Sequence, residues 1–246
     1  MKRSLLTTVA VAAATAALAG PVQAAPMQPL SIFLVVGQSN AAGWGEPVPT
    51  MQRTNPRVWD LSAGVKRAVE PLGDGPGVGF AVTAGAVLAR HGLRVGLVQC
   101  ASGGLGITDW LPGGDWYGRC LIRAQAAMKY GKIRGILFSQ GETDSQSEAM
   151  AAAWTAKFLT VIGSFRRDLA VPALPVVMQL TRDFTRDPYG LPAGLTIRAA
   201  QRAVAGPTIA VVSGDDLSLD GEHFTPDGYR TLGARIANAW LKLTVR

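Results

Sequence analysis

Histidine and cysteine are scarce in this chain of 246 residues, with two of each. So few, and so dispersed, they cannot supply the clustered Cys/His ligands of a zinc site, and a carboxylate-only site would be unusual for hydrolytic zinc. No metal or other cofactor is therefore expected. Neither cysteine has a neighbouring histidine, which argues against a cysteine nucleophile. Beyond the first twenty residues no apolar run approaches the ~20 residues a membrane helix needs. Lys/Arg blocks with interleaved aromatics are also missing. Despite a net charge of +7, the scattered basic residues read as a mildly basic soluble surface and not as a nucleic-acid surface. No internal repeat, low-complexity tract or linker divides the chain.

The beginning of the chain carries a recognisable pattern. Lys2 and Arg3 precede an alanine-rich apolar run from Leu5 to about Leu18, and Val22-Gln23-Ala24 forms a small-residue exit. That order is expected of a secretory signal peptide cleaved after Ala24, a retained amino-terminal anchor being the alternative. The expected organisation is a signal peptide over residues 1–24 and one domain over 25–246, secreted or periplasmic, without stable membrane insertion after cleavage. Loss of Lys2 and Arg3 would lower the net charge to +5. An oxidising compartment permits a Cys100–Cys120 disulfide; two small buried thiols are the alternative.

Five short apolar runs read as strands: Ile32–Val36, Val95–Val98, Gly135–Phe138, Val176–Leu180 and Ile209–Val212. They lack polar alternation, as parallel strands covered on both faces do. Helical patterns lie between them, over Phe80–Arg90, Arg119–Lys129, Ser147–Leu169 and Thr196–Val204, with a last one from Thr225-Pro226 to about Leu243. Residues 57–61 suggest a small extra strand, and the Gly/Pro-rich segments 43–79 and 182–194 read as irregular. The repetition predicts a three-layer α/β/α sandwich with about five parallel strands.

Ligands of open α/β sheets bind beyond the carboxyl ends of the strands, so the residues that follow each strand matter most. These are Gly37-Gln38-Ser39-Asn40, Cys100-Ala101-Ser102-Gly103-Gly104, Gln140-Gly141-Glu142-Thr143-Asp144 and, after the last strand, Gly214 to His223. His91 closes a helix or faces solvent, which leaves His223, three residues after Asp220, as the candidate base. A hydroxyl needs such a base to act as a nucleophile. Ser39, at a strand-to-helix turn, is preferred and Ser102 competes. The amides of Ser39 and Gly103 and the side chain of Gln140 are candidate oxyanion donors. Trp44, Trp110, Trp116 and Tyr117 are candidates for stacking on sugar rings.

Taken together and in order, these four blocks resemble the SGNH hydrolase superfamily, and more narrowly its sialate O-acetylesterase and acetylxylan esterase branch, similar to carbohydrate esterase family 6. The resemblance implies a flavodoxin-like SGNH fold and a serine esterase that removes acetyl groups from carbohydrate through an acetyl-enzyme. It implies Ser39 as nucleophile, His223 as base and Asp220 as the orienting acid, a role Glu142 could share. It further implies an oxyanion hole of Ser39, Gly103 and Gln140, an acetylated carbohydrate as substrate, and no metal. One departure is Leu105-Gly106-Ile107, where the branch often has Thr after its glycine pair. The competing readings are a general SGNH esterase or lipase and a non-catalytic carbohydrate-binding protein; the complete Ser39, Asp220 and His223 set argues against the latter.

Overall fold

The computed structural model describes residues 28–47, 54–183 and 190–244, so the expected signal peptide lies outside the described residues. Strand β1, Leu30–Gly37, is apolar on both faces and sits at the centre of a seven-stranded sheet. Its neighbours are β4, Val95–Gln99, on one side and β5, Gly131–Ser139, on the other, both parallel to it. Beyond β4 lies β2, Val58–Asp60, and then the short antiparallel β3, Lys66–Arg67. Beyond β5 lie β6, Val176–Gln179, and β7, Ile209–Val212, again parallel. All five expected strands are present. The extra strand near residue 58 is present too, and β3 is an addition.

Period-two alternation divides β1 between two cores. Ile32, Leu34 and Val36 pack under α3 (Asp115–Ala127), α4 (Glu148–Asp168) and α5 (Gly194–Ala203). Phe33 and Val35 pack under α2 (Ala81–Arg90) and α6 (Pro226–Thr244). This is the expected three-layer sandwich. On the second face Trp240 meets Phe33 edge-on, with ring centroids 5.0 Å apart, and its Nε1 donates to the Arg134 carbonyl. Helix ends follow local chemistry. Ser147 Oγ accepts the Met150 amide at the start of α4, and Thr225 Oγ1 accepts the Gly228 amide just before Pro226 opens α6. Helix α3 begins four residues earlier than the pattern predicts, because Gly114 and Asp115 already start the turn.

Among the short elements that the sequence pattern did not mark, two lie at the carboxyl edge of the sheet. One is α1, Ser39–Ala42, a single turn directly after β1. The other is the hairpin of β8 (Leu219–Asp220) and β9 (His223–Phe224), in which Asp220 and His223 are cross-strand partners. Gly37 shows why the chain must bend where it does. Its φ is +137°, and a Cβ there would lie 1.9 Å from the Ser139 carbonyl oxygen, so only glycine lets β1 turn this close to β5.

The two cysteines are joined. Cys100 follows β4, Cys120 lies in α3, and both are buried. The bridge ties the segment that enters the glycine pair to the helix beneath it. It closes a loop with a sequence separation of 20, for which chain entropy predicts a stabilisation of about 3 kcal/mol. Replacing both cysteines by alanine is therefore expected to leave a folded protein whose unfolding free energy, measured in urea, is lower by about 2–4 kcal/mol. An unchanged urea midpoint would show that the bridge contributes nothing.

Candidate active site

The chain order places the reversal of sheet growth at β1. After β1 the chain builds β2, β3 and β4 on one side and then crosses to β5 on the other. A crevice opens at the carboxyl ends of strands at such a switch point. Here it is a cavity of about 800 Å³. Ser39 enters it from α1, Ser102, Gly103 and Gly104 from the segment after β4, Glu142 from the segment after β5, and Glu222 and His223 from the hairpin. Folding therefore brings together Ser39, Gly103, Glu142 and His223. The competing serine, Ser102, lines the same cavity. His91 is exposed at the end of α2, as expected.

Ser39 is the first residue of a helical turn, where amides have no carbonyl partner within the helix. Its neighbours hold the turn in place. Gln38 Oε1 accepts from the amides of Gly141 and Thr143, each at 3.3 Å. Asn40 Nδ2 donates to Glu142 Oε1 at 2.9 Å, and Asn40 Oδ1 accepts from Tyr229 Oη at 2.8 Å. On the other side Gln99 Nε2 donates to the carbonyls of Ala41 and Ala42, while its Oε1 accepts the Ala101 amide at 3.0 Å. Buried side-chain amides thus cross-link the ends of β1, β4 and β5.

His223 faces Asp220 across the hairpin, where Gly221, at φ +60°, makes the turn. Cross-strand partners in an antiparallel pair project to the same face, so the Asp-x-x-His spacing puts both residues on one face of the hairpin, with Asp220 exposed and outside the cavity lining. Among the described residues no direct hydrogen bond joins His223 to Asp220 or to Ser39; such bonds are often long in ligand-free enzymes and shorten once substrate is bound. The imidazole is stacked on the Trp44 indole, with centroids 5.2 Å apart and planes 17° from parallel. Burial, the largest influence, holds the His223 pKa below the ordinary imidazole value, partly offset by the carboxylates of Glu222 and Asp220. A lowered value keeps the ring neutral, and so able to accept a proton, at neutral pH.

Glu142 is the most unusual group in the cavity. Burial pushes its pKa up, the hydrogen bond from Asn40 opposes that, and the charges of Glu222 and Asp144 add to the rise. Its Oε2 is buried without a partner, so desolvation favours the neutral acid.

Gln140 is not where the sequence suggested. It is fully buried and does not line the cavity. Its Nε2 donates to Asp144 Oδ2, and its Oε1 accepts the Trp154 indole N–H at 2.7 Å. Asp144 Oδ2 in turn accepts the Ile107 amide at 2.8 Å. Gln140 thus anchors the segment after β5 to the segment after the glycine pair, and its amide is not aimed at substrate. Two of the aromatic candidates also move to the core. Trp110 and Tyr117 are buried, and half-buried Trp116 packs against the same core. Trp44 alone among the four lines the cavity, 48% exposed, with its ring edge 3.2 Å from where a Gly103 Cβ would stand. A Cβ at position 103 would press on that indole and require it to shift by a few tenths of an ångström. Tyr229 gave no sequence signal beyond its place on an amphipathic helix.

These features agree with comparisons to known proteins. Residues 29–242 match the family model described as carbohydrate esterase, sialic acid-specific acetylesterase. A curated relative, the Arabidopsis thaliana protein named "Probable carbohydrate esterase At4g34215", is 29% identical over 249 residues, covering 88% of this chain and 92% of its own. The crystal structure of that Arabidopsis protein superposes with a TM-score of 0.79 at 27% identity, over 87% of this chain and 98% of the other. NanS superposes at 0.72 with 18% identity, over 87% of this chain and 97% of the other, a likeness of fold. The chain belongs to the carbohydrate esterase, sialic acid-specific acetylesterase family, and is a carboxylic ester hydrolase.

Proposed function

We propose that this protein is an exported serine esterase that removes acetyl groups from O-acetylated carbohydrate, with Ser39 as nucleophile and His223 as general base. The observation that carries the reading is that these two side chains, from opposite ends of the chain, line one cavity with the glycine pair between β4 and α3. His223 takes the Ser39 proton as Oγ attacks the acetyl carbonyl. The amides of Ser39 and Gly103 receive the oxyanion of the tetrahedral intermediate. His223 then gives the proton to the departing sugar oxygen. Water, deprotonated by the same imidazole, attacks the acetyl-enzyme and releases acetate. Asp220 orients His223 and stabilises its cationic form across the hairpin. Glu142, bonded to the residue after the nucleophile, is the alternative acid.

The described wall of the cavity carries two carboxyl groups, Glu142 and Glu222, and no cation. Both suit the hydroxyls of a neutral sugar, and the exposed Glu222 carboxylate repels the carboxylate of a sialic acid. This favours an acetylated neutral sugar, as in acetylxylan, over an acetylated sialic acid. Export is supported by the order of residues 1–24 and by the Cys100–Cys120 bridge, which belongs in an oxidising compartment. No helix among the described residues is long and apolar enough to cross a membrane.

The protein is expected to hydrolyse p-nitrophenyl acetate and to lose activity steeply as the acyl chain lengthens; a preference for octanoate would point to a lipase instead. Ser39→Ala should abolish turnover with an unchanged circular dichroism spectrum, whereas Ser102→Ala should retain it. The reverse pattern would move the nucleophile to Ser102. Asp220→Asn is expected to lower kcat by roughly 10²–10⁴; a slight loss there beside a large one in Glu142→Gln would make Glu142 the orienting acid. Because protonation removes the base, kcat/KM should fall as the pH drops. Its acid-limb midpoint should lie below the ordinary imidazole value of 6.5. A midpoint above pH 7 would contradict a buried, neutral His223.

A further inference from the structure

A second cavity, of about 220 Å³, lies at the opposite, amino-terminal edge of the sheet. It opens where Leu30 begins β1, Arg94 leads into β4 and Tyr130 leads into β5. Its charged walls are Arg94 and Lys129, and its aromatic walls are Trp59 and Tyr130. We propose that this cavity binds a uronic-acid unit of an acidic polysaccharide, holding the enzyme on a carboxylated glycan while the catalytic cavity faces away.

The sequence makes this edge one-signed. No Asp or Glu occurs in residues 1–45, 75–108 or 116–141, and residues 47–69 contain only Asp60. Asp60 is buried and already engaged by Ser62, Gly73 and Lys66. Among the described residues Arg67, Arg94 and Lys129 form no ion pair with a carboxylate. Cations grouped this way repel one another until an anion joins them.

The cations are also held in position. The guanidinium carbons of Arg67 and Arg94 lie 4.5 and 4.7 Å from the Trp59 ring centroid. Each group donates Nη1 to a backbone carbonyl, Arg67 to Pro56 and Arg94 to Gln28. Stacking and a fixed Nη1 restrict each fork and leave its other N–H groups for a ligand. Lys129 Nζ sits 4.8 Å from the Tyr130 ring centroid.

The shape of the cavity selects a sugar among anions. Its volume is below the ~300–1,000 Å³ of sites for drug-sized ligands and suits one ring. Tyr130 and Val65 offer apolar surface to the C–H face of a pyranose, the Trp59 ring serves as the platform that holds the guanidiniums, and Arg94 can take the sugar carboxylate through paired N–H groups. A membrane surface or a nucleic-acid backbone would need an extended basic face and gain little from a small aromatic pocket.

The test is binding of the full protein, by isothermal titration calorimetry, to polygalacturonate, to neutral dextran and to vesicles of anionic phospholipid. Saturable binding to polygalacturonate, weakened by salt and absent with dextran, is expected. Arg94→Ala/Lys129→Ala should weaken it at least tenfold while hydrolysis of p-nitrophenyl acetate is unchanged. Should that pair fail to fold, Lys129→Ala and Tyr130→Ala, both at the rim, should each weaken binding severalfold. Binding that is undetectable, equal for dextran, insensitive to these variants, or confined to vesicles would overturn the proposal. Because the esterase assay is separate, none of these outcomes bears on Ser39 and His223.

Discussion

Parallel pairing of β1 with both β4 and β5 is the constraint on which the site depends. It sets the ends of three strands side by side, and four buried side chains then lock the segments that leave them. Gln38 holds the amides after β5, Asn40 holds Glu142, Gln99 holds α1 against β4, and Gln140 joins Trp154 to Asp144. A buried amide left unpaired costs about 1–3 kcal/mol, so each of these bonds resists displacement of its neighbour. The result is a rigid shelf on which a hydroxyl and two backbone amides can be preorganised for an oxyanion.

His223 reaches this shelf by different means. It arrives on a hairpin of two-residue strands that leads into α6, and α6 is anchored through Tyr229, whose hydroxyl donates to Asn40. The same helix therefore supports both His223 and Asn40, the neighbour of Ser39. Trp44 completes the connection, stacking on His223 and closing against Gly103. A stacked aromatic pair contributes about 0.5–1.5 kcal/mol beyond simple burial, enough to favour one imidazole orientation before substrate arrives.

Much of this was legible in the sequence. Unbroken apolar runs marked β1, β4, β5, β6 and the edge strand β7 because helices cover both faces of the sheet, and glycine-rich polar blocks follow those runs at the candidate site. The elements missed were those that local patterns cannot encode. A single turn such as α1 and strands as short as β8 and β9 have no period to detect. Gln140 was misread for a related reason: a glutamine at a strand end looks the same whether it faces substrate or the core, and only the position of Trp154 decides. Trp110 and Tyr117 joined the core in the same way, their loop context outweighed by the volume they fill. The spacing of Asp220 and His223 suggested a partnership, and the hairpin on which they stand opposite each other emerged only in three dimensions.

The central claim is that Ser39 is made nucleophilic by His223. Labelling the protein with a fluorophosphonate, which captures activated serines, and mapping the adduct by peptide mass spectrometry tests it directly. The account predicts a single adduct on the peptide containing Ser39, lost when His223 is replaced by alanine. An adduct on Ser102, or labelling of Ser39 that persists without His223, would contradict it.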